Sequence, residues 1–436
     1  MGNGEEGLIC TALRDSLRQG YSWNIFKHDF LAGLIVSFVA IPLAMAFSIA
    51  VGLPPQHGLL TAIIAGFVVP LLGGSHVQVS GPTAAFIVIL APLVAKYGVS
   101  GLIPITVLSG CLLILFGVSR AGYLIELFPK TVVIGFTTGI AVVIGTVSLN
   151  DLLGLKIYPL PNSYLNKIFC IVQHLPKLSL AECIVSTTSL LTMWSMKYFI
   201  PKFPAPLIGI IVGGVIASML HVLGFQVSTI GNHFSYVLPN GVVGSGIPPL
   251  WPTLEHAVVT LSWPPVGEWG SFFMPACTVA LLSALESLLS AAIADSMIHK
   301  KHNANAELIG IGIGNILSGL ASGIPATGAI ARTAKNIRNG AKTPIAASLH
   351  ALFILCYVLW FRDILSFVPM AALAALMIRV AFHMSHYRNF FHIVKTGSIQ
   401  EITVLMVCFL LTVFIDMVAG ISAGLLLFFV FKFFTK

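Results

Sequence analysis

Charge is what this sequence has least of. Asp, Glu, Lys and Arg together make up 9% of its 436 residues, where an ordinary soluble domain carries about 25%. A water-facing surface cannot be built from so few charges, which excludes a soluble enzyme and a disordered chain. Paired cysteines are missing too. The seven cysteines are scattered, most of them in apolar runs, with no CxxC and no Cys/His cluster. They read as small buried apolar residues, and neither a metal site nor a disulfide framework is expected. There is no H-E-x-x-H, no G-x-S-x-G and no pair of Asp residues inside an apolar span, which argues against an intramembrane enzyme. No cofactor is expected. The net charge of +8 invites a nucleic-acid partner, but no basic patch with interleaved aromatics accompanies it, so none is expected. The opening MGNGEE lacks the Ser or Thr of a myristoylation signal, and no secretory leader is expected before the first apolar run.

What the sequence has in abundance is hydrophobic length. Hydrophobic residues make up 57% of the chain, and the mean hydropathy is +0.96. Apolar stretches near spanning length run near 31–51, 57–73, 77–96, 101–118, 130–149, 179–200, 204–224, 272–296, 304–321, 324–340, 343–361, 364–382, 399–416 and 418–435. That makes an all-α polytopic membrane protein of about 14 transmembrane segments, or twelve if some pairs re-enter. The Pro- and Gly-rich stretch 225–271 reads as a long extramembrane or interfacial connection. Residues 1–28 read as a cytoplasmic N-terminal segment, with Leu8–Gln19 a short amphipathic helix carrying Arg14 and Arg18. With that end inside, 17 Lys and Arg residues fall on the cytoplasmic side and 5 outside, while Arg332 lies within a span. The asymmetry follows the positive-inside rule. It predicts a multi-pass protein of the cell (inner or plasma) membrane, in contact with lipid, with both termini cytoplasmic.

The two halves echo each other. AIPLAMAFSIA (Ala40–Ala50) can be laid on ALESLLSAAIA (Ala284–Ala294), SGPTAA (Ser80–Ala85) on GIPATG (Gly323–Gly328), and LIELFPKTVVIGF (Leu124–Phe136) on ILSFVPMAALAAL (Ile364–Leu376). Three matches in order at nearly one offset point to an internal repeat. Seven spans per half would make the repeats inverted, as in many secondary transporters. The third and tenth spans share a further peculiarity. Each opens on an extended-looking run and reaches a Gly or Pro before a helix-forming stretch. Gly suits an unwound approach and Pro a first helical turn. Two half-helices are therefore expected to begin inside the membrane, at about Pro82–Thr83 and about Thr327–Ala329. Irregular backbone at that depth is tolerated only where protein buries it or it lines a cavity.

At these motifs the chain resembles a known family. GLPPQHGLLTAIIAGFVVPLLGGSHVQVSGPTAAF, LFPKTVVIGFTTGIAV and ALESLLSAAIADSM…NILSGLASGIPATGAIARTAKNIRNGAKTP are similar to the SulP anion permeases, from about Asp29 to the end. The resemblance implies two inverted repeats of seven spans in a transmembrane transport domain, residues 29–436. It implies a core domain (about 29–120 and 272–361) that moves in elevator fashion against a gate domain (about 121–271 and 362–436). It further implies an anion site between the opposed N-termini of the third and tenth spans, and substrates such as sulfate, bicarbonate, chloride or dicarboxylates. Members usually continue into a cytoplasmic STAS domain, which is absent from this sequence. A homodimer is a family expectation.

Opposed helix N-termini suit an anion on physical grounds, because free N–H groups and two positive dipole ends converge on one point. The expected substrate-binding residues are Thr83, Ala84 and Ala85 on one side and Gly328, Ala329, Ile330 and Ala331 on the other, with small side chains that let an anion approach the backbone. Glu286 is the informative ionisable residue. It sits in the apolar run VALLSALESLLSAAIA, where a carboxylate costs about 2.5–3.5 kcal/mol even on the mild insertion scale. Two roles are open to it: a proton-coupling carboxylate beside the anion, or a structural carboxylate paired with Arg332 or with hydroxyls. The family resemblance supports coupling. Sodium-coupled bicarbonate relatives have Asp at this position with a hydroxyl four residues later, matched here by Glu286 and Ser290, and they have Thr where this chain has Ile330. The missing hydroxyl points away from sodium and toward protons. Arg332 either lends positive potential to the anion or pairs with Glu286.

The expected function is secondary active transport of a small inorganic or organic anion with a proton. An exchanger or channel of the same fold is an alternative in which Glu286 would be dispensable. A nucleobase permease-like carrier is another, although such carriers usually have a second carboxylate at the tenth-span site, where this chain has Arg332.

Overall fold

The computed structural model describes residues 7–122, 129–158, 160–161, 163–199, 203–238, 241–250 and 269–434. Residues 251–268 of the long connection, the start of the third repeat match, Lys202 and Lys436 lie outside them. Along the chain the elements are α1 (Thr11–Arg18), α2 (Trp23–Ala50), α3 (Pro55–Leu72), β1 (Ser80–Gly81), α4 (Phe86–Val118), α5 (Lys130–Leu152), α6 (Tyr164–His174), α7 (Leu180–Phe199), α8 (Ala205–Val222) and α9 (Ile230–His233). There follow β2 (Ser235–Val237), β3 (Val243–Ser245), α10 (Trp269–Ile298), α11 (Ala304–Leu320), β4 (Thr327–Gly328), α12 (Ile330–Arg338), α13 (Pro344–Ser366), α14 (Met370–Met384), α15 (Tyr387–Thr396), α16 (Ile399–Phe414) and α17 (Met417–Phe434).

Among the described residues eight helices are long and apolar enough to cross a membrane: α2, α3, α4, α5, α8, α10, α13 and α17. The stretch Tyr164–Lys177 and α7 form a further apolar pair bent by 114°. This is an α-helical polytopic membrane protein. In such a setting the backbone must satisfy itself, so helices dominate. Local signals set where they begin. Ser22 and Asn303 cap α2 and α11 through their side chains, and Ser398 forms a capping box with Glu401 at α16.

Two compact units divide the chain. The first holds residues 1–86, 93–126 and 234–366, the second 87–92, 127–233 and 367–436. In the second, α5 packs against α14 and α16, and α7 against α8 and α14. In the first, α2, α3 and α13 pack on one another and α3 on α11. Small residues permit this closeness. At the crossing of α4 and α11, a methyl group on Gly110 would lie 2.6 Å from the Gly312 carbonyl oxygen, and one on Gly312 would lie 2.6 Å from that of Gly110. A buried carboxylate ties the first unit's ends together. Asp29 accepts hydrogen bonds from the Lys342 and Thr343 amides at 2.7 and 3.2 Å, the Thr343 hydroxyl at 2.5 Å and the Tyr21 hydroxyl at 3.2 Å. Burial and that carboxylate push the Tyr21 phenol up to about 12, so it stays a donor at any physiological pH.

The expected half-helices differ in detail from the structure. Residues 73–79 are not helical, and β1 precedes a turn, so α4 starts at Phe86 rather than at Pro82–Thr83. It then runs on to Val118, joining the third and fourth expected spans across a kink at Gly98 (φ 64°, ψ −166°), a conformation open essentially to glycine. In the tenth span only the nine residues of α12 are helical after β4. β1 and β4 pair antiparallel, Ser80 with Gly328 and Gly81 with Thr327, which withdraws Thr327 and Gly328 from the tenth-span helix; on the other side the chain passes through residues 82–85, the last two a turn, before α4 begins.

Candidate functional site

The site is built on extended chain, which needs partners for its backbone. The approach to β1 is held by Glu307, in the first turn of α11. Its Oε2 accepts from the Gly74 and Ser75 amides at 2.8 and 2.9 Å, and its Oε1 from Gln78 Nε2 at 2.7 Å. Further along, Asn336 Nδ2 donates to the Val77 carbonyl (2.9 Å), the Val79 amide to Thr333 Oγ1 (3.0 Å) and the Ala329 amide to the Val79 carbonyl (2.9 Å). On the other side α10 serves β4 with a serine pair at helical spacing. The Gly328 amide donates to Ser287 Oγ (3.0 Å), Ser287 and Thr327 hydroxyls meet at 2.8 Å, and Thr327 Oγ1 donates to the Ser283 carbonyl (3.1 Å). Asn315 brackets Ala326, accepting from its amide (2.6 Å) and donating to its carbonyl (3.2 Å).

Glu286 stands on α10 between Ser283 and Ser287, and its Oε2 accepts from the Thr83 hydroxyl at 2.8 Å. Both side chains are half-buried, unlike the buried serines beside them. Arg332 is 2% exposed. Its Nη2 donates to the Pro82 carbonyl at 2.6 Å, while Nη1 has no partner. Gly81 makes room for the guanidinium. Its φ of 148° is a glycine conformation, and a methyl group there would lie 2.9 Å from Nη1. Glu286 and Arg332 form no ion pair, although each lies in the other's electrostatic reach. The carboxylate has the Thr83 hydroxyl, and the guanidinium has the Pro82 carbonyl.

The expected donors fall into two groups. Among the described residues, the amides of Thr83, Ala84 and Ala85 donate to no backbone carbonyl, and those of Ile330 and Ala331 stand in the first turn of α12, where a helix leaves N–H groups unpaired. The amides of Gly328 and Ala329 are engaged by Ser287 and Val79, so these two shape the site without offering their N–H. Ser290 does not reach Glu286. Its hydroxyl donates to Thr333 Oγ1 at 3.4 Å. Sequence reasoning passed over Glu307, Asn315 and Thr333. An acidic residue in the first turn of a helix, four residues after its Asn303 cap, is ordinary because it suits the positive end of the helix dipole, so nothing marked Glu307 as a clamp. Among the described residues no His, Cys, Asp or Glu cluster could hold a metal ion. One carboxylate and one guanidinium are thus both held by the short segment between β1 and α4, through the Thr83 hydroxyl and the Pro82 carbonyl.

Comparison with known proteins finds relatives along most of the chain. The model of the sulfate permease family matches residues 26–408. "Putative sulfate transporter YvdB" of Bacillus subtilis is 37% identical over 413 residues, covering 95% of this chain and 74% of that protein. Bicarbonate transporter BicA of Picosynechococcus is 27% identical over 412 residues, covering 91% and 68%. The solved transmembrane domain of a cyanobacterial BicA superposes with a TM-score of 0.77 at 24% identity, covering 92% of this chain and 98% of that one. Murine solute carrier 26 family member A9, in an inward-facing state, superposes with a TM-score of 0.83 at 18% identity, covering 97% and 71%.

Proposed function

Because the chain belongs to the sulfate permease family, we propose that it is a secondary active transporter of a small anion of the bicarbonate, sulfate or dicarboxylate class, coupled to protons. The observation that carries this reading is the bond between the Thr83 hydroxyl and Glu286, set beside the unpaired amides of Thr83–Ala85 and Ile330–Ala331.

A hydroxyl has one hydrogen to donate. While Glu286 is ionised it takes the Thr83 hydrogen and repels an incoming anion. Once protonated, Glu286 is itself a donor, the Thr83 hydroxyl is released, and Arg332 is left as the uncompensated charge. Proton and anion thus bind together. Alternating access is elevator-like, with about 29–120 and 272–361 as the core and about 121–271 and 362–436 as the gate. Both termini are cytoplasmic in a cell membrane, and the protein is a homodimer in contact with lipid.

The test is uptake of labelled bicarbonate, sulfate, succinate and fumarate into proteoliposomes, with and without an inward proton gradient. Accumulation of one anion that collapses with a protonophore supports the reading. Flux indifferent to the gradient would make the protein an exchanger or a channel and leave Glu286 a structural carboxylate.

A further inference from the structure

A second buried group faces the Arg332 end of β1. Val79, immediately before β1, packs with Val36 of α2 and Ala347 of α13 in one buried cluster. Two residues on, a methyl group on Gly81 would lie 2.9 Å from Arg332 Nη1. His350 is three residues after Ala347 and hence on the same face of α13. Its ring is fully buried. The ring edge meets β1 across Gly66: a methyl group there would lie 3.1 Å from His350 Cε1 and 3.4 Å from the Ser80 carbonyl oxygen. His350 Nδ1 is 2.9 Å from the Ala347 carbonyl. A carbonyl only accepts, so Nδ1 carries the hydrogen and Nε2 of the imidazole is left as an acceptor. Nε2 has no partner, nor has the donor Arg332 Nη1, and the guanidinium is within electrostatic reach of the ring.

Buried polar atoms without partners are rare and call for a water or an ion between them. We propose that one internal water, accepting from Arg332 Nη1 and donating to His350 Nε2, joins the two, and that His350 is thereby a positioning residue for Arg332. The Pro82 carbonyl fixes one arm of the guanidinium, and the bridge to His350 fixes the other. A planar guanidinium held at two points keeps its orientation beneath both helix N-termini, whereas one held at a single point swings.

The consequence for transport rests on the anion-carrier reading, but the link itself does not. Two measurements keep them apart. The first is a thermal-stability cycle in detergent on the full chain, with His350→Leu, Arg332→Gln and the double variant. If the bridge exists, the melting-temperature losses are not additive, because either single change already breaks it. Additive losses overturn the link whether or not the protein carries an anion. The second is anion uptake by His350→Leu and His350→Gln. His350→Leu should raise KM about tenfold, the worth of one hydrogen bond to a charged group, with Vmax little changed. His350→Gln, whose amide oxygen can accept in place of Nε2, should recover most of that loss. An unchanged KM in His350→Leu, or His350→Gln as impaired as His350→Leu, overturns the positioning role. A wild-type protein that carries no anion refutes the transport reading and leaves the stability cycle to decide the link.

Discussion

Glu286→Gln separates anion binding from proton coupling, because it removes the carboxylate's charge and keeps its shape. The magnitude follows from the geometry. Thr83 Oγ1 lies 2.8 Å from Glu286 Oε2, and an anion accepting from that hydroxyl sits about 3 Å from Oγ1, hence about 5 Å from the carboxylate. At an effective dielectric of about 20, two unit charges about 5 Å apart repel by about 3 kcal/mol, or about two orders of magnitude in affinity. An ionised Glu286 therefore opposes the anion by that much, and a protonated Glu286 or a Gln does not. The Glu286→Gln protein is expected to bind the anion with an affinity that no longer falls as pH rises, and to exchange labelled for unlabelled anion across the vesicle membrane. It should also lose accumulation driven by a proton gradient. Binding titrations at acidic and alkaline pH, counterflow and gradient-driven uptake on the same preparation read these three properties. Wild-type accumulation in the variant, or an affinity that still falls with pH as in the wild type, would refute the coupling argument.

Three further changes test the surrounding structure. Arg332→Gln should raise the anion KM about tenfold or more, and Arg332→Lys less, because Lys keeps the charge but not the planar fork that reaches the Pro82 carbonyl; equal KM in all three proteins would remove Arg332 from anion binding. Glu307→Ala strips the acceptor from two amides and the Gln78 side chain at once and should cost about 3 kcal/mol, read as a lower melting temperature in detergent; unchanged melting would show that the 73–79 segment needs no clamp. Gly98→Ala should destabilise by about 1–3 kcal/mol through its φ of 64° alone, since nothing lies within 4 Å of the added methyl. Gly145→Ala, equally unobstructed but helical, should be neutral or slightly stabilising, and equal losses in the two would remove the backbone argument.

Residues legible in a single sequence are those out of place in their own segment. Glu286 stands out because everything next to it is apolar or a small hydroxyl. Arg332 stands out because it interrupts a span. The Gly and Pro residues around Ser80–Pro82 and Gly323–Gly328 announce that the helix is interrupted, and the structure interrupts it there. On the tenth-span side, the point where the helix resumes was not readable, because it follows the pairing of Thr327–Gly328 with Ser80–Gly81, which are far apart in the chain. Glu307 makes the complementary point. It is as buried as Arg332, at 2% exposure, yet its local setting is an ordinary capped helix start. Its task is defined by donors more than two hundred residues earlier. Ser283 and Ser287 are intermediate, since a spacing of four reveals a shared face of α10 but not that β4 lies against it. The same logic accounts for Arg332 and Glu286, which by composition look like partners. Each has a nearer claim from the unwound chain: a hydroxyl at Thr83 for the carboxylate and a carbonyl at Pro82 for the guanidinium. Both claimants come from the segment that links β1 to α4. Any shift of that segment must therefore disturb carboxylate and guanidinium together, and this shared dependence lets an event at one charge reach the other without direct contact.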